Sequence, residues 1–488
     1  MPLSWTSING LFLSLALLSA ILALVWQYKR VNQFSLWIII LAGFTLRIIP
    51  AQDAFLHEWD ERFHALVAKN MGKNLLAPSL YQHPVIDYNY QNWTANHIWL
   101  HKQPLALWIM HFSLQCFGLN ALAVRLPSVI LSVCCIWFTF LICKLLFKDQ
   151  KTAVLAAFLQ AINGFLIENA VGRIPTDHVD AQFLFFTELS VLLICLYAKQ
   201  AKFWLLMGIG IALGLSILTK WLTGLFVLPL FGLLLWRSQA LGKLVFSGAL
   251  IGMVATLLAL PWQLYILKHF PQEALWEYNY NSRHLYEAIE GHDGEWYYHL
   301  LKARMIWNEL VYLPFLWLLY EAWRSKNRAH YFLLAWILIP YLFFSMVPTK
   351  MTGYIIICAP AVFIAMALFI QKMVSYSPNW GKVLAVLMLG LSIRYCIERV
   401  KPFEVDPTQQ NKLELVQKIE AYTPNAHTVV FNFPHAIEAM FFTACTAYST
   451  LPTVDELLAL QEKGYRVLVF ETGDLKEVYR RDEIGLFK

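Results

Sequence analysis

The residues equipped for chemistry stand in short polar stretches between long apolar runs. From Gln52 to Pro104 the chain reads QDAFLHEWDERFHALVAKNMGKNLLAPSLYQHPVIDYNYQNWTANHIWLHKQP and holds Asp60, Glu61, Lys102 and five histidines. Asp60 and Glu61 open the amphipathic segment DERFHALVAKNM, in which Phe63, Leu66, Val67 and Met71 repeat at helical spacing. That pattern predicts a helix lying on a membrane surface. Two acids at a helix start also suit its macrodipole, so the pair has a plain reading beside the functional one. Lys102, two residues before Pro104, supplies a point charge for a phosphate at headgroup depth, or simply anchors the chain at the interface.

Further cations and acids lie in the later connections. ENAVGRIPTDHVD, residues 168–180, packs Glu168, Arg173, Asp177, His178 and Asp180 between two apolar runs, more charge than a helix cap at Thr176 or Asp177 requires. Lys220 interrupts ILTKWLTG, and Lys350 with Tyr354 sits in PTKMTGY. Two lysines at the ends of separate runs suit a converging anion site. The 264–304 connection combines Arg283, His284, His292, Asp293 and Glu295 with many aromatics, which serve equally as interface belt residues or as platforms for sugar rings and acyl chains. A divalent metal ion is possible among these histidines and acids, but no fixed ligand spacing such as HExxH marks one.

These stretches need a scaffold, and composition says which kind. With 58% apolar residues, 14% charged residues and a mean hydropathy of +0.51, the chain has runs long enough to cross a hydrocarbon core of about 30 Å. The runs are continuous and rich in Leu, Ile and Phe, which predicts helices rather than a barrel. The fold class is therefore an α-helical polytopic membrane protein. Spans are expected near 8–27, 35–51, 124–147, 152–167, 181–198, 203–219, 222–236, 244–263, 305–320, 331–346, 354–371 and 383–398, about twelve, with 105–118 re-entrant or interfacial.

The first run is read as a permanent span, since Lys29 and Arg30 follow it and no basic residue precedes it. Lysines and arginines then fall in every second connection, among them Lys148, Lys199, Lys243, Arg328 and Lys372, as the positive-inside rule asks. The net charge of +6 is accounted for by these residues, so nucleic acid is not an expected partner. The outer set of connections is 52–104, 168–180, 219–221, 264–304, 347–353 and the stretch after 399. The eight cysteines lie mostly within apolar runs, without CxxC spacing, and are read as buried thiols.

After Val400 the composition turns soluble. Helices are expected at 409–421 and 454–463, with strands at HTVVFNF (427–433) and YRVLVFE (465–471). The chain thus divides into a membrane domain, 1–400, and a small α/β outer domain, 401–488.

Together the motifs resemble the GT-C superfamily of polyprenyl-phosphate-sugar-dependent glycosyltransferases, in particular bacterial relatives of protein O-mannosyltransferases and of the aminoarabinose transferase acting on lipid A. The residues that carry the resemblance are Asp60-Glu61-Arg62, Lys102-Gln103-Pro104-Leu105, Arg125-Leu126-Pro127-Ser128, Arg173 through Asp177, Leu218-Thr219-Lys220, Pro261-Trp262, Arg283 with Gly294-Glu295-Trp296-Tyr297-Tyr298, and Lys350 with Tyr354 and Pro360. The resemblance covers about 35–370. The chain departs where the family usually shows lysine-proline-proline, having Lys102-Gln103-Pro104, and in an additional span before the one that usually comes first.

The resemblance implies transfer of a hexosyl or pentosyl unit, with inversion, from a polyprenyl-phosphate donor to a lipid, glycan or protein acceptor, on the periplasmic side of a bacterial inner membrane. Asp60 is then the expected base for an acceptor hydroxyl, because an acid beside apolar surface can have its pKa raised toward usefulness. Lys102, Lys220, Arg283 and Lys350 are candidates for the leaving phosphate, with or without a metal ion. Asp177 is implied to position donor or acceptor, with Glu61, Arg173 and Tyr354 among the binding residues. The alternative from another class is a secondary transporter or lipid-linked sugar flippase, which predicts charges near span centres and repeated halves.

Overall fold

The computed structural model describes residues 5–29, 34–174, 177–236, 238–400, 407–422, 424–471, 475, 479 and 484–487. Two compact units form. One gathers Met1–Ala51, Arg125–His269 and Tyr278–Glu404, and the other Gln52–Val124, Phe270–Glu277 and Val405–Lys488. The stretch 52–124 therefore folds with the C-terminal segment, two parts of the chain separated by nearly the whole membrane region.

The first unit is built from apolar helices. Among the described residues eight segments are long and apolar enough to cross a membrane: Ile8–Lys29, Phe34–Gln52, Ala121–Phe147, His178–Gln200, Phe203–Leu235, Leu241–His269, Arg328–Met346 and Thr352–Tyr376. A ninth arises if Gln150–Ala161 and Gly164–Ala170, which meet at 54°, form one bent span. The bend falls at Asn163, whose side chain accepts from Leu166 N at 3.0 Å and donates to Ile306 O at 2.8 Å, starting a new helix.

Phe203–Leu235 has 33 residues, too many for a single crossing at about 1.5 Å per residue. It is a hairpin. Gly224 lies so close to Ser216 that a β-carbon there would fall on the serine side chain, which requires the chain to return along the helix it has just left. Trp221 makes the reversal with φ at 58°. The expected tight turn at 219–221 is thus present, with Lys220 at its tip.

Two of the expected spans come out differently. The run 305–320 is divided between helices Tyr298–Ile306 and Tyr312–Ser325. Asn308 breaks it, accepting from Leu310 N at 2.9 Å while its amide donates to Met388 O and Ser392 Oγ. The run 383–398 becomes helix Pro378–Val400, which carries Lys382, Arg394, Glu398 and Arg399 and falls outside the strongly apolar set. Helix Pro104–Phe117 has 14 residues, about 21 Å, too short to cross, in keeping with an interfacial or re-entrant segment.

Small residues and a few polar ones lock this unit. Helices Phe203–Lys220 and Leu241–His269 touch at Gly210 and Gly214, where an added β-carbon would meet Val254 and Leu258. Arg47 is fully buried and donates to Ser132 Oγ at 2.9 Å and to the carbonyls of Gly43, Ala161 and Gln160. Glu188, midway along helix Asp177–Gln200, contacts Thr139 Oγ1 at 2.6 Å and Gln160 Nε2 at 3.2 Å. Glu188 and Arg47 thus put charge-bearing side chains inside the span bundle, whereas the sequence pattern places nearly all charge in the connections.

The second unit carries a four-stranded parallel sheet. Its strands are β1 (Thr428–Phe431), β2 (Thr446–Ala447), β3 (Arg466–Phe470) and β4 (Gly485–Phe487), in the order β2-β1-β3-β4. Val429 stands opposite Thr446 on one side and Val467 on the other. Both expected strands and both expected helices, observed as Pro407–Glu420 and Val454–Glu462, are present. The second helix begins with a capping box between Thr453 and Glu456. All four residues of β1 are buried, as a central parallel strand requires. The same core takes in Phe63, Leu66, Val67 and Met71, the apolar face of helix Asp60–Asn70, together with Leu80, Tyr81 and Trp99 from the following loop. The amphipathic segment that the sequence places on a membrane surface therefore turns its apolar face to a protein core.

Candidate active-site residues

Asp60 is the first residue of its helix, and the backbone just before it is strained. Trp59 has φ at 70°, a left-handed value that bulky residues rarely adopt, and supplies no side-chain cap. Glu61, 1% exposed, closes the approach by accepting from His57 N at 2.5 Å. Gln103 and Pro104 start the neighbouring helix, Pro104 fitting the first turn where no N–H is needed. That start brings Lys102 Nζ to 3.2 Å from Asp60 Oδ2, with both side chains mostly shielded from solvent. Two residues 42 positions apart thus form an ion pair.

In the membrane unit Lys220 has a different setting. Its ammonium pairs with Asp180, whose side chain is 2% exposed, and lies 5.5 Å from the centre of the Tyr354 ring. Tyr354 in turn packs on Phe344 at 4.7 Å. Lys220, Thr223, Phe183, Phe226, Phe344, Tyr354 and Ile357 line a cleft of about 210 Å³ including its open mouth. A cation held at the rim of an apolar, aromatic cleft suits an amphiphilic anion. Asp180, one turn beyond Asp177, stood in the sequence only as one acid of a charged loop; its spacing from Asp177 is the signal that could have singled it out.

Lys350 behaves otherwise. It is 3% exposed and donates to the carbonyls of Phe344 and Ser345 at 3.0 and 2.7 Å, satisfying the end of helix Arg328–Met346. Burial holds its pKa below the ordinary lysine value. Arg283 is 47% exposed and pairs with Glu287 one turn along its own segment, a solvated arrangement. Arg173 donates to Val400 O, and nearby Glu168 pairs with Arg399 at 2.5 Å, so this connection is fastened to helix Pro378–Val400. Asp177 begins helix Asp177–Gln200, but its side chain and Thr176 lie outside the described residues.

The five histidines do not converge on one point. His57 faces Asp53 at 3.3 Å, His64 meets the edge of Trp99, and His83 lies 2.7 Å from Lys73. His97 stacks on Tyr88, and burial lowers its pKa to about 4. His101 stacks on Trp93 at 4.3 Å and pairs with Glu277 at 3.2 Å. Among the described residues no group of three or more His, Cys, Asp or Glu stands placed to hold a metal ion.

The apolar helices and the parallel-sheet unit give a GT-C-like fold. The fold is similar to that of ArnT from Cupriavidus metallidurans bound to undecaprenyl phosphate, with a TM-score of 0.62 at 14% identity over 87% of each chain. It is also similar to the archaeal oligosaccharyltransferase AglB from Archaeoglobus fulgidus, with a TM-score of 0.61 at 14% identity, covering 86% of this chain and 65% of that one. Residues 101–265 match the family described as dolichyl-phosphate-mannose-protein mannosyltransferase. Among curated relatives, the undecaprenyl phosphate-alpha-4-amino-4-deoxy-L-arabinose arabinosyl transferase of Pseudomonas aeruginosa (strain UCBPP-PA14) is 28% identical over 55% of this chain. That of Pectobacterium atrosepticum is 26% identical over 68% of this chain and 58% of its own length. The chain spans about half the length of the Pseudomonas relatives it matches.

Proposed function

We propose that the chain is an inverting glycosyltransferase that takes a sugar from a polyprenyl-phosphate donor and passes it to a lipid, glycan or protein acceptor at the outer, periplasmic face of a bacterial inner membrane. The Lys220 cleft carries this reading. Its aromatic walls suit a prenyl chain, and an ammonium with three donors can meet a phosphate while Asp180 holds one side of it. The match over 101–265, which includes Lys102, Arg173, Asp177 and Lys220, supports the same class, and the names of the relatives point to a pentosyl donor.

In the reaction the bond from the anomeric carbon to the phosphate oxygen breaks, its electrons passing to the phosphate. The acceptor oxygen bonds to the same carbon from the opposite face, and its proton goes to Asp60. Charge growing on the leaving phosphate is met by Lys220, with Tyr354 beside it. Lys102 holds Asp60, Glu61 closes the loop before it, and Asp177 positions donor or acceptor. Arg173, Arg283 and Lys350 complete the proposed binding set. A divalent metal ion assisting the phosphate remains part of the proposal, read by repeating the assay with a chelator.

The test incubates membranes with labelled polyprenyl-phosphate sugars and scores protein, lipid and glycan fractions for wild type and Asp60→Asn. Label transferred by wild type and lost in the variant is expected; undiminished transfer by Asp60→Asn sinks the base assignment. A transporter or flippase is the second reading, favoured by Glu188 at mid-span. Solute uptake with no label in any fraction would select it.

A further inference from the structure

The outer sheet is built around the helix that starts with Asp60, and the contacts fall on either side of that residue. Glu58, two positions before it, pairs with Lys412 of helix Pro407–Glu420. Arg62, two positions after it, pairs at 3.3 Å with Glu438, whose side chain is 8% exposed on helix Ala436–Phe442. Further along the same helix, Lys69 Nζ donates to the carbonyls of Met440, Phe441 and Thr443 at 2.5, 3.0 and 2.8 Å and so caps the end of helix Ala436–Phe442. Between these points Phe63, Leu66, Val67 and Met71 share the core of the sheet.

The first turn of this helix cannot hold itself. Its N-cap, Trp59, gives no side-chain hydrogen bond and has a left-handed backbone, a conformation that persists only where its surroundings over-determine it. Helix ends without such support fray. The two ion pairs straddling Asp60 join the Lys102 pair on Asp60 itself in fixing the turn from outside.

We infer that the 405–488 segment is a positioning element for Asp60, with Lys412 and Glu438 as its positioning residues acting through Glu58 and Arg62. This rests on the reading of Asp60 as the base. The segment sets the rotation and depth of the first helical turn and touches neither donor nor acceptor.

The test uses the full-length protein in detergent with two readouts. One is amide hydrogen exchange over residues 57–66; the other is turnover with labelled undecaprenyl-phosphate 4-amino-4-deoxy-L-arabinose as donor. Glu58→Lys and Lys412→Glu each place like charges together at an exposed site that folding tolerates, and the double exchange restores the pair. Glu438→Gln removes the buried charge at constant shape. The expected result is faster exchange in each single variant, and turnover lowered on the order of tenfold in Glu438→Gln with donor KM unchanged. Glu58→Lys/Lys412→Glu should recover both readouts.

Wild-type exchange and turnover in all of these variants would overturn the inference while leaving the proposed function standing. If Asp60→Asn stays active, or wild type does not use this donor, the reading of the site fails instead. The exchange measurement then still decides whether the segment holds the helix.

Discussion

Lys220 and Asp180 give the sharpest separation of stability from function. Asp180 is 2% exposed at its side chain and Lys220 24%. Lys220→Met takes the ammonium away from a buried carboxylate, a loss of about 3–5 kcal/mol for pairs of this kind. Asp180→Asn strands the more exposed ammonium and costs less. In the double variant both charges are gone, the amide and thioether fill similar volumes, and stability should return to within about 1 kcal/mol of wild type, a coupling of at least about 2 kcal/mol in the cycle. Activity should not return. A leaving phosphate that has lost its fixed cation loses on the order of 10²–10³ in turnover. Denaturant or thermal unfolding in detergent gives the first quantity and donor turnover the second. A double variant that is both stable and fully active would refute the reasoning, making Lys220 merely the counter-ion of Asp180.

Other perturbations follow from individual contacts. His299 is fully buried, and desolvation, with Lys350 nearby, lowers its pKa from 6.5 to about 4. The unfolded chain takes up a proton below 6.5 that the native state refuses. Stability is therefore full above pH 6.5 and should fall by up to about 3 kcal/mol as pH drops toward 4, and His299→Phe should flatten that limb of the unfolding profile. Glu188→Ala leaves Thr139 and Gln160 buried without their carboxylate and should cost about 2–3 kcal/mol, whereas Glu188→Gln keeps most of the contacts and should lower the unfolding midpoint far less. Gly224→Ala places a methyl on the Ser216 side chain, whose hydroxyl donates to Leu213 O at 2.7 Å. It should cost about 1–3 kcal/mol and raise donor KM by tilting the Lys220 turn.

Apolar runs are legible because lipid leaves the backbone no partner but itself, so a long run of Leu, Ile and Phe is read directly as a helix. The hairpin turn at 219–221 and the strands around Val429 and Val467 were visible on the same ground, from breaks and β-branched clusters. The division of 305–320 was not, because Asn308 acts through partners at Met388 and Ser392, about eighty residues away. Glu188 is not legible either, because one acid in an apolar run carries no periodic signal and its partners sit on two other helices.

The chemistry of single residues shows the same boundary. Lys220 and Lys350 look alike in sequence, each a lone lysine after an apolar run, yet one meets an aromatic cleft and the other the carbonyls of a helix end. The amphipathic pattern of 60–71 stated that one face must leave water, and could not say whether lipid or protein would receive it; the core shared with the sheet decides for protein. What this sequence determines alone is the class of solvent each segment needs, a membrane core, a packed interior or water, since transfer energies depend on composition and local period. Which distant groups meet, Asp60 with Lys102, Asp180 with Lys220, Glu438 with Arg62, is decided only by tertiary structure, because a pair contact is a property of two chain segments brought to one place.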